Sequence, residues 1–390
     1  MKRKNKGRKI YKTKEKNYYG KSPVGKFMSG LLTVLLIGGI GFIGYSVAEP
    51  IINYTQHKGD KPASTMPVTT DGTGGEESSS GEKASSERFK AVCLTTSDIQ
   101  SVSTLEKAVD SIPADGGYEY VEVPLKVRGG AINYASSVKE AQFALAVQSD
   151  VALSDMVAVI EKSGFKPAAE ISTLHDNLLP AVYPESGYVT ADDGSQWNDN
   201  DPAHDGKPWT TPYSQTTLTY LSDIVSEVSG AGFERIICTD LVYPDFRPSD
   251  LAMLNEKLGK SDRFMALTSA ANLLYEKSVS NGASMYIGVS AVDMLKGNND
   301  VLQPMLLSAN TVVLEIDVEE LVNGVSDGHT LYEFEGSPAE ITDKCLKFLS
   351  PKLTDFNVVV RIKGQGRTRE ELMKAKEKIA GYGYSSFVIG

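Results

Sequence analysis

Three cysteines and four histidines in 390 residues leave little material for a disulfide framework or a zinc centre. Cys93, Cys238 and Cys345 form an odd set without close spacing, and Cys93 and Cys238 fall in apolar, strand-like runs, as small buried side chains do. His175-Asp176 and His204-Asp205 place no two ligands on one face of a helix or strand, so no metal is expected. The absence of a Gly-x-Ser-x-Gly elbow argues against a serine hydrolase. The first strand-like run leads into Leu94-Thr95-Thr96-Ser97-Asp98 instead of a glycine-rich phosphate loop, so neither a dinucleotide nor any other cofactor is expected.

Long apolar runs are also scarce, with one exception. Phe27 to Ala48 carries no charge, and at 1.5 Å per residue it reaches roughly 33 Å, enough to cross the hydrocarbon core. Residues 1–26 hold eleven Lys/Arg against Glu15, whereas the whole chain sums to −10. A basic flank beside an apolar run is a topology signal and an attraction to anionic lipid, and the acidity of the remainder excludes a nucleic-acid partner. Ser46-Val47-Ala48 has the small residues of a cleavage site, but the tail and the apolar run are both long for a signal peptide. The expectation is a single-pass membrane protein of the cell envelope: a cytoplasmic tail over 1–26, a transmembrane helix over 27–48, and an extracytoplasmic domain. Residues 49–87 are the linker between them; within it, residues 62–86 are rich in Ser, Thr, Gly and Glu, a composition that tethers and does not pack.

From residue 88 to 390, short β-branched runs alternate with segments of helical spacing. Eight strands are expected: Phe89–Leu94, Tyr118–Val123, Lys166–Ile171, Arg235–Thr239, Ser284–Val289, Thr311–Ile316, Asn357–Ile362 and Ser385–Ile389. The clearest helix is Ser214–Ser229, with Leu218, Leu221, Val225 and Val228 on one face and Gly230 and Gly232 as its stop. Eight strands separated by helices make a (β/α)8, or TIM, barrel; an open doubly wound sheet is the alternative.

Such a barrel carries its site at the C-terminal strand ends. The residues there are acidic: Glu122, Glu170, Asp240, Glu315 and Asp317, with Arg361 at the end of the seventh strand. Paired carboxylates perform glycoside hydrolysis, one as nucleophile or base and one as proton donor. The competing structure is a lattice in which Arg361 and Lys363 neutralise the acids. The long segment Ser172–Tyr213 holds Trp197, Trp209 and Tyr213, a floor for sugar rings or, alternatively, a satellite core under the loop.

Gly232-Phe233-Glu234-Arg235-Ile236-Ile237-Cys238-Thr239-Asp240-Leu241-Val242-Tyr243-Pro244 is similar to Gly-Phe-Asp-Glu-Ile-Gln-Phe-Asp-Tyr-Ile-Arg-Phe-Pro of a bacterial family of envelope-associated, glycoside-hydrolase-like barrels. Trp209-Thr210-Thr211-Pro212-Tyr213 resembles that family's Trp-x-Asp-Pro-Tyr, and Lys166–Ile171 follows a Gly-Phe turn as the family's third strand does. The resemblance runs from about Arg88 to Gly390. It implies Asp240 as nucleophile or transition-state stabiliser and Asp317 or Glu315 as acid. Glu122, Glu170, Trp197, Trp209, Tyr213, Tyr243 and Arg361 would then contact a cell-wall or extracellular polysaccharide. Three features depart from the family: no arginine follows Asp240, Thr211 replaces the aspartate before Pro212, and the family's Tyr-Pro-Ser-His after strand six is missing. A divergent hydrolase and an inactive glycan-binding or scaffold barrel both fit that pattern.

Overall fold

The computed structural model describes residues 88–201, 204–254 and 258–390. The expected tail, transmembrane helix and linker lie outside the described residues. Among the described residues no helix is long and apolar enough to cross a membrane.

Eight parallel strands close into a barrel: β1 (Lys90–Cys93), β2 (Tyr120–Lys126), β3 (Lys166–Ser172), β4 (Arg235–Thr239), β5 (Ser284–Ser290), β6 (Thr311–Asp317), β7 (Asn357–Lys363) and β8 (Ser386–Ile389). Closure is made by Lys90 of β1 opposite Phe387 of β8. All eight lie where the alternating pattern puts them, and the open sheet is excluded.

Side chains point alternately in and out along each strand. The inward set fills the lower barrel with Phe89, Tyr120, Ala168, Ile237, Tyr286, Val313, Val359 and Val388. Phe89 sets its ring 4.9 Å from Tyr120 and 5.4 Å from Tyr286, which plugs the base. The outward set packs against helices in one continuous core.

Helix α1 (Gln215–Gly230) is capped by Ser214, whose hydroxyl accepts from the Thr217 amide. It buries Tyr220, Leu221, Ile224, Val225 and Val228; Leu218 sits half-buried at the edge of that stripe. Near the C-terminus, two short helices, Arg369–Met373 and Lys376–Gly381, precede β8. Thr368 caps the first through a reciprocal pair with Glu371, and the break at Ala375 lets Leu372, Ala375 and Ile379 all bury.

The described residues between 172 and 213 form an ordered cap. The segment carries short helical turns at Leu178–Val182 and Pro184–Ser186. Thr210 Oγ1 donates to the Leu174 carbonyl at 2.8 Å, tying the end of the cap to its beginning. A two-stranded hairpin, Val325–Ser326 with Leu331–Tyr332, follows β6 and was not foreseen. It stands beside the same rim.

Candidate active site

The upper barrel is filled by charge. Glu122 (β2), Glu170 (β3), Glu315 (β6), Arg361 and Lys363 (both β7) point inward and meet. Arg361 contacts Glu122 and Glu315 directly and lies 3.2 Å from Glu170. Lys363 Nζ is 3.1 Å from Glu170 and 3.7 Å from Glu315. Arg361 and Glu122 are fully buried. Burial opposes the charge on Glu170, but Lys363 and Arg361 outweigh it and hold the carboxyl down at about 2. Burial pushes Glu122 up, against the pull of Arg361. Three carboxyls face two cations in this cluster. The neutralising lattice is therefore present, and it engages three acids expected at the site.

Cys93 Sγ and one oxygen each from Glu122 and Glu170 come within 4.8 Å of one another, a spacing compatible with a metal ion. Arg361 and Lys363 already supply the positive charge those carboxylates need, so no metal is assigned. Asp317 is engaged too: its Oδ1 accepts from the Glu319 and Glu320 amides at 3.0 and 3.2 Å, capping the helix Val318–Val322.

Asp240 stands apart from the lattice. It is the residue just past β4 and turns the chain at φ 56°, a left-handed conformation that Asp tolerates better than most residues. Arg128, just past β2, donates from Nε to Asp240 Oδ1 at 2.8 Å and reaches Glu320 with Nη1 at 3.4 Å. Ser172 donates to Asp240 Oδ2 at 2.6 Å. Both carboxylate oxygens are thus fixed. The arginine that pairs with Asp240 comes from the turn after β2.

Asp240 lines a cavity of about 770 Å³ that also holds Asp293, Glu320, Trp209, His175 and Tyr243. Asp293 lies in the first turn of the helix Ala291–Lys296, which follows β5 directly, at the same rim. Burial lifts its carboxyl to about 6; Arg128 pulls the other way, and the charges of Asp240 and Asp245 add to the rise. Two neighbouring carboxyl groups in contrasting environments are an acid–base arrangement. Asp293 was not among the expected residues. Its only signal in the sequence is a place soon after a strand, outside the strand itself.

The aromatic residues divide. Trp209 stacks on His175 at 4.0 Å and 14°, and its Nε1 donates to Asp199 Oδ2 at 3.0 Å. Burial pushes the His175 imidazole down, which favours its neutral form. Trp197 is instead 5% exposed and packs on Phe246 at 4.9 Å and Tyr188 at 5.9 Å, in a core under the cap. Tyr243 lines the cavity, and its hydroxyl donates to that of Tyr213 at 3.2 Å.

A family model described as "Putative glycosyl hydrolase domain" matches residues 91–301, from β1 to just beyond Asp293. The chain belongs to this family. The matched stretch carries Arg128, Asp240 and Asp293, whereas Glu315, Arg361 and Lys363 of the lattice lie beyond it. No curated protein matches the chain. Among solved structures, the glycoside hydrolase domain of PgaB (BpsB) from Bordetella bronchiseptica is similar at 12% identity, over 77% of this chain and 93% of that one, with a TM-score of 0.51. A hypothetical protein from Ruminiclostridium thermocellum matches at 19% identity over 50% of this chain and 96% of its own, with a TM-score of 0.42. An exo-β-N-acetylglucosaminidase from Vibrio harveyi matches at 12% over 70% of this chain, with a TM-score of 0.44; the chain spans 41% of that enzyme's length. At 12% identity the likeness to the Bordetella domain speaks for the fold alone. Within the family, the domain is a divergent glycoside-hydrolase-like barrel.

Proposed function

We propose that the barrel hydrolyses a glycosidic bond in a cell-wall or extracellular polysaccharide, with Asp240 and Asp293 as the working pair. The observation that carries this is that both line one cavity, Asp240 ion-paired to Arg128 and Asp293 with its carboxyl lifted to about 6. In the reaction, Asp293 gives its proton to the leaving oxygen as the bond to the anomeric carbon breaks. The Asp240 carboxylate faces the positive charge developing at that carbon. Water then supplies a hydroxyl to the carbon and returns a proton to the carboxyl pair. Trp209, held flat by His175, offers a face to the CH side of a sugar ring. Asp240 and Asp293 thereby take the roles that the family resemblance gave to Asp240 with Asp317 or Glu315.

The buried lattice favours a second reading, a glycan-binding module without turnover, because it withdraws three acids from chemistry. Full-length protein incubated with a panel of cell-wall glycans separates the two. New reducing ends that disappear in an Asp240→Asn chain support hydrolysis; glycan retention without new ends supports binding alone.

The uncharged run Phe27–Ala48 and its basic flank support anchoring in the cell membrane, with the barrel outside the cytoplasm and the polysaccharide as its partner. Alkaline extraction of membranes tests this: an anchored chain stays in the pellet, and release into the wash contradicts it.

A further inference from the structure

Beside the main cavity lies a second one of about 430 Å³ over the barrel axis. The two share three wall residues: Arg128, Ser290 and Glu320. Arg128 reaches across from the β2 end to both Asp240 and Glu320, so its side chain is the partition. The second cavity is framed by the turns after β1 and β7. Leu94, Pro124 and Val127 give it an apolar shelf, and Thr95, Thr96 and Gln365 give it uncharged hydrogen-bonding groups. An apolar shelf edged by hydroxyls and an amide suits a sugar ring, which has apolar CH faces and a hydroxyl-bearing edge. Its acids outnumber its bases, with Glu170, Glu315, Asp317 and Glu320 against Arg128 and Lys363, which disfavours an anionic ligand.

We infer that the second cavity is a saccharide-binding compartment continuous with the first, so that a neutral or amine-bearing glycan chain lies across the barrel mouth. The inference rests on the reading of the first cavity as the hydrolytic site. A chain seated on both sides of Arg128 passes Asp240 at an internal bond, so the cut falls within the chain and not at its end. Binding energy accrues as sugars fill the second compartment.

Calorimetry of the full-length Asp240→Asn protein with chitin, cellulose and peptidoglycan oligosaccharides of increasing length tests this without relying on turnover. At least one series should tighten by roughly tenfold or more as the chain grows long enough to enter the second cavity, about 1.4 kcal/mol. Thr96→Trp and Gln365→Trp, in the regions after β1 and β7 and both solvent-exposed, should each abolish that gain with length. Two variants guard against a local folding defect in either one. Affinity independent of length in every series, or a gain that survives both tryptophans, overturns the inference. Hydrolysis without a length effect removes the second compartment alone; a length effect without hydrolysis removes the catalytic reading alone.

Discussion

Arg128 Nε lies 2.8 Å from Asp240 Oδ1, across 112 residues of chain. Charge-assisted hydrogen bonds of this kind orient a carboxylate. Replacing Arg128 by Met leaves Asp240 with Ser172 and Thr239 as its remaining side-chain partners. The expected result is a loss of about 2–4 kcal/mol in transition-state stabilisation, or roughly a hundredfold in rate, with Arg128→Lys partly restoring it. Initial rates on a responsive glycan measure this. An active Arg128→Met enzyme contradicts the role given to the pair.

The same arginine lowers the Asp293 carboxyl, whereas burial raises it to about 6. Asp293 acts as a proton donor, so activity falls as pH rises through about 6. The alkaline limb of kcat/KM should lie there and should move to higher pH in Arg128→Lys if the longer reach loosens the contact. Stability runs the same way. A carboxyl with a raised folded pKa binds its proton more tightly when folded, so its stabilising effect is full at low pH and fades from about 4 to 6. Asp293→Asn is therefore expected to gain on the order of 1–2 kcal/mol of stability above pH 6 while losing activity, as catalytic groups often do. Thermal melts at two pH values check it.

The two tryptophans of the cap give opposite predictions. Trp197→Ala empties a buried aromatic cluster and should cost about 3–5 kcal/mol of stability. Trp209→Ala removes a cavity wall and should weaken glycan binding by about 1–2 kcal/mol with little change in melting temperature. Denaturation and glycan titration of both variants separate a core residue from a binding one.

Arg361 holds three glutamates together, and removing it leaves buried carboxylates without their partner. Arg361→Met should cost about 3–5 kcal/mol. The lattice also predicts acid sensitivity. Glu170 has a depressed folded pKa of about 2, so its contribution is present above the usual carboxylate range and is lost as pH falls toward 2. Unfolding followed between pH 5 and 2 in the parent and in Glu170→Gln measures that contribution.

The barrel was legible because its strands are short β-branched runs separated by helical spacing, and because parallel sheets bury both faces of each strand. The site was legible only in part. Asp240 and the glutamates look alike as acids near strand ends, yet Asp240 sits beyond β4 whereas Glu122, Glu170 and Glu315 sit within their strands, one layer lower and beside Arg361. That difference depends on how the strands stagger around the barrel, which a single chain's period does not reveal. Arg128, just past β2, and Asp293, in the first turn of the helix after β5, carry no local mark in the sequence because their aim is set by tertiary packing. Trp197 and Trp209 share one segment, and nothing in their local sequence separates the buried ring from the one on the cavity wall.

On the proposed mechanism, Asp240 and Asp293 together break a glycosidic bond. Reducing-end release from a cell-wall glycan by the parent, Asp240→Asn, Asp293→Asn and the double variant tests it most directly. Each single variant is expected to fall by at least about a thousandfold and the double variant to fall little further, because the two residues act as a unit. Undiminished release by either single variant would contradict it.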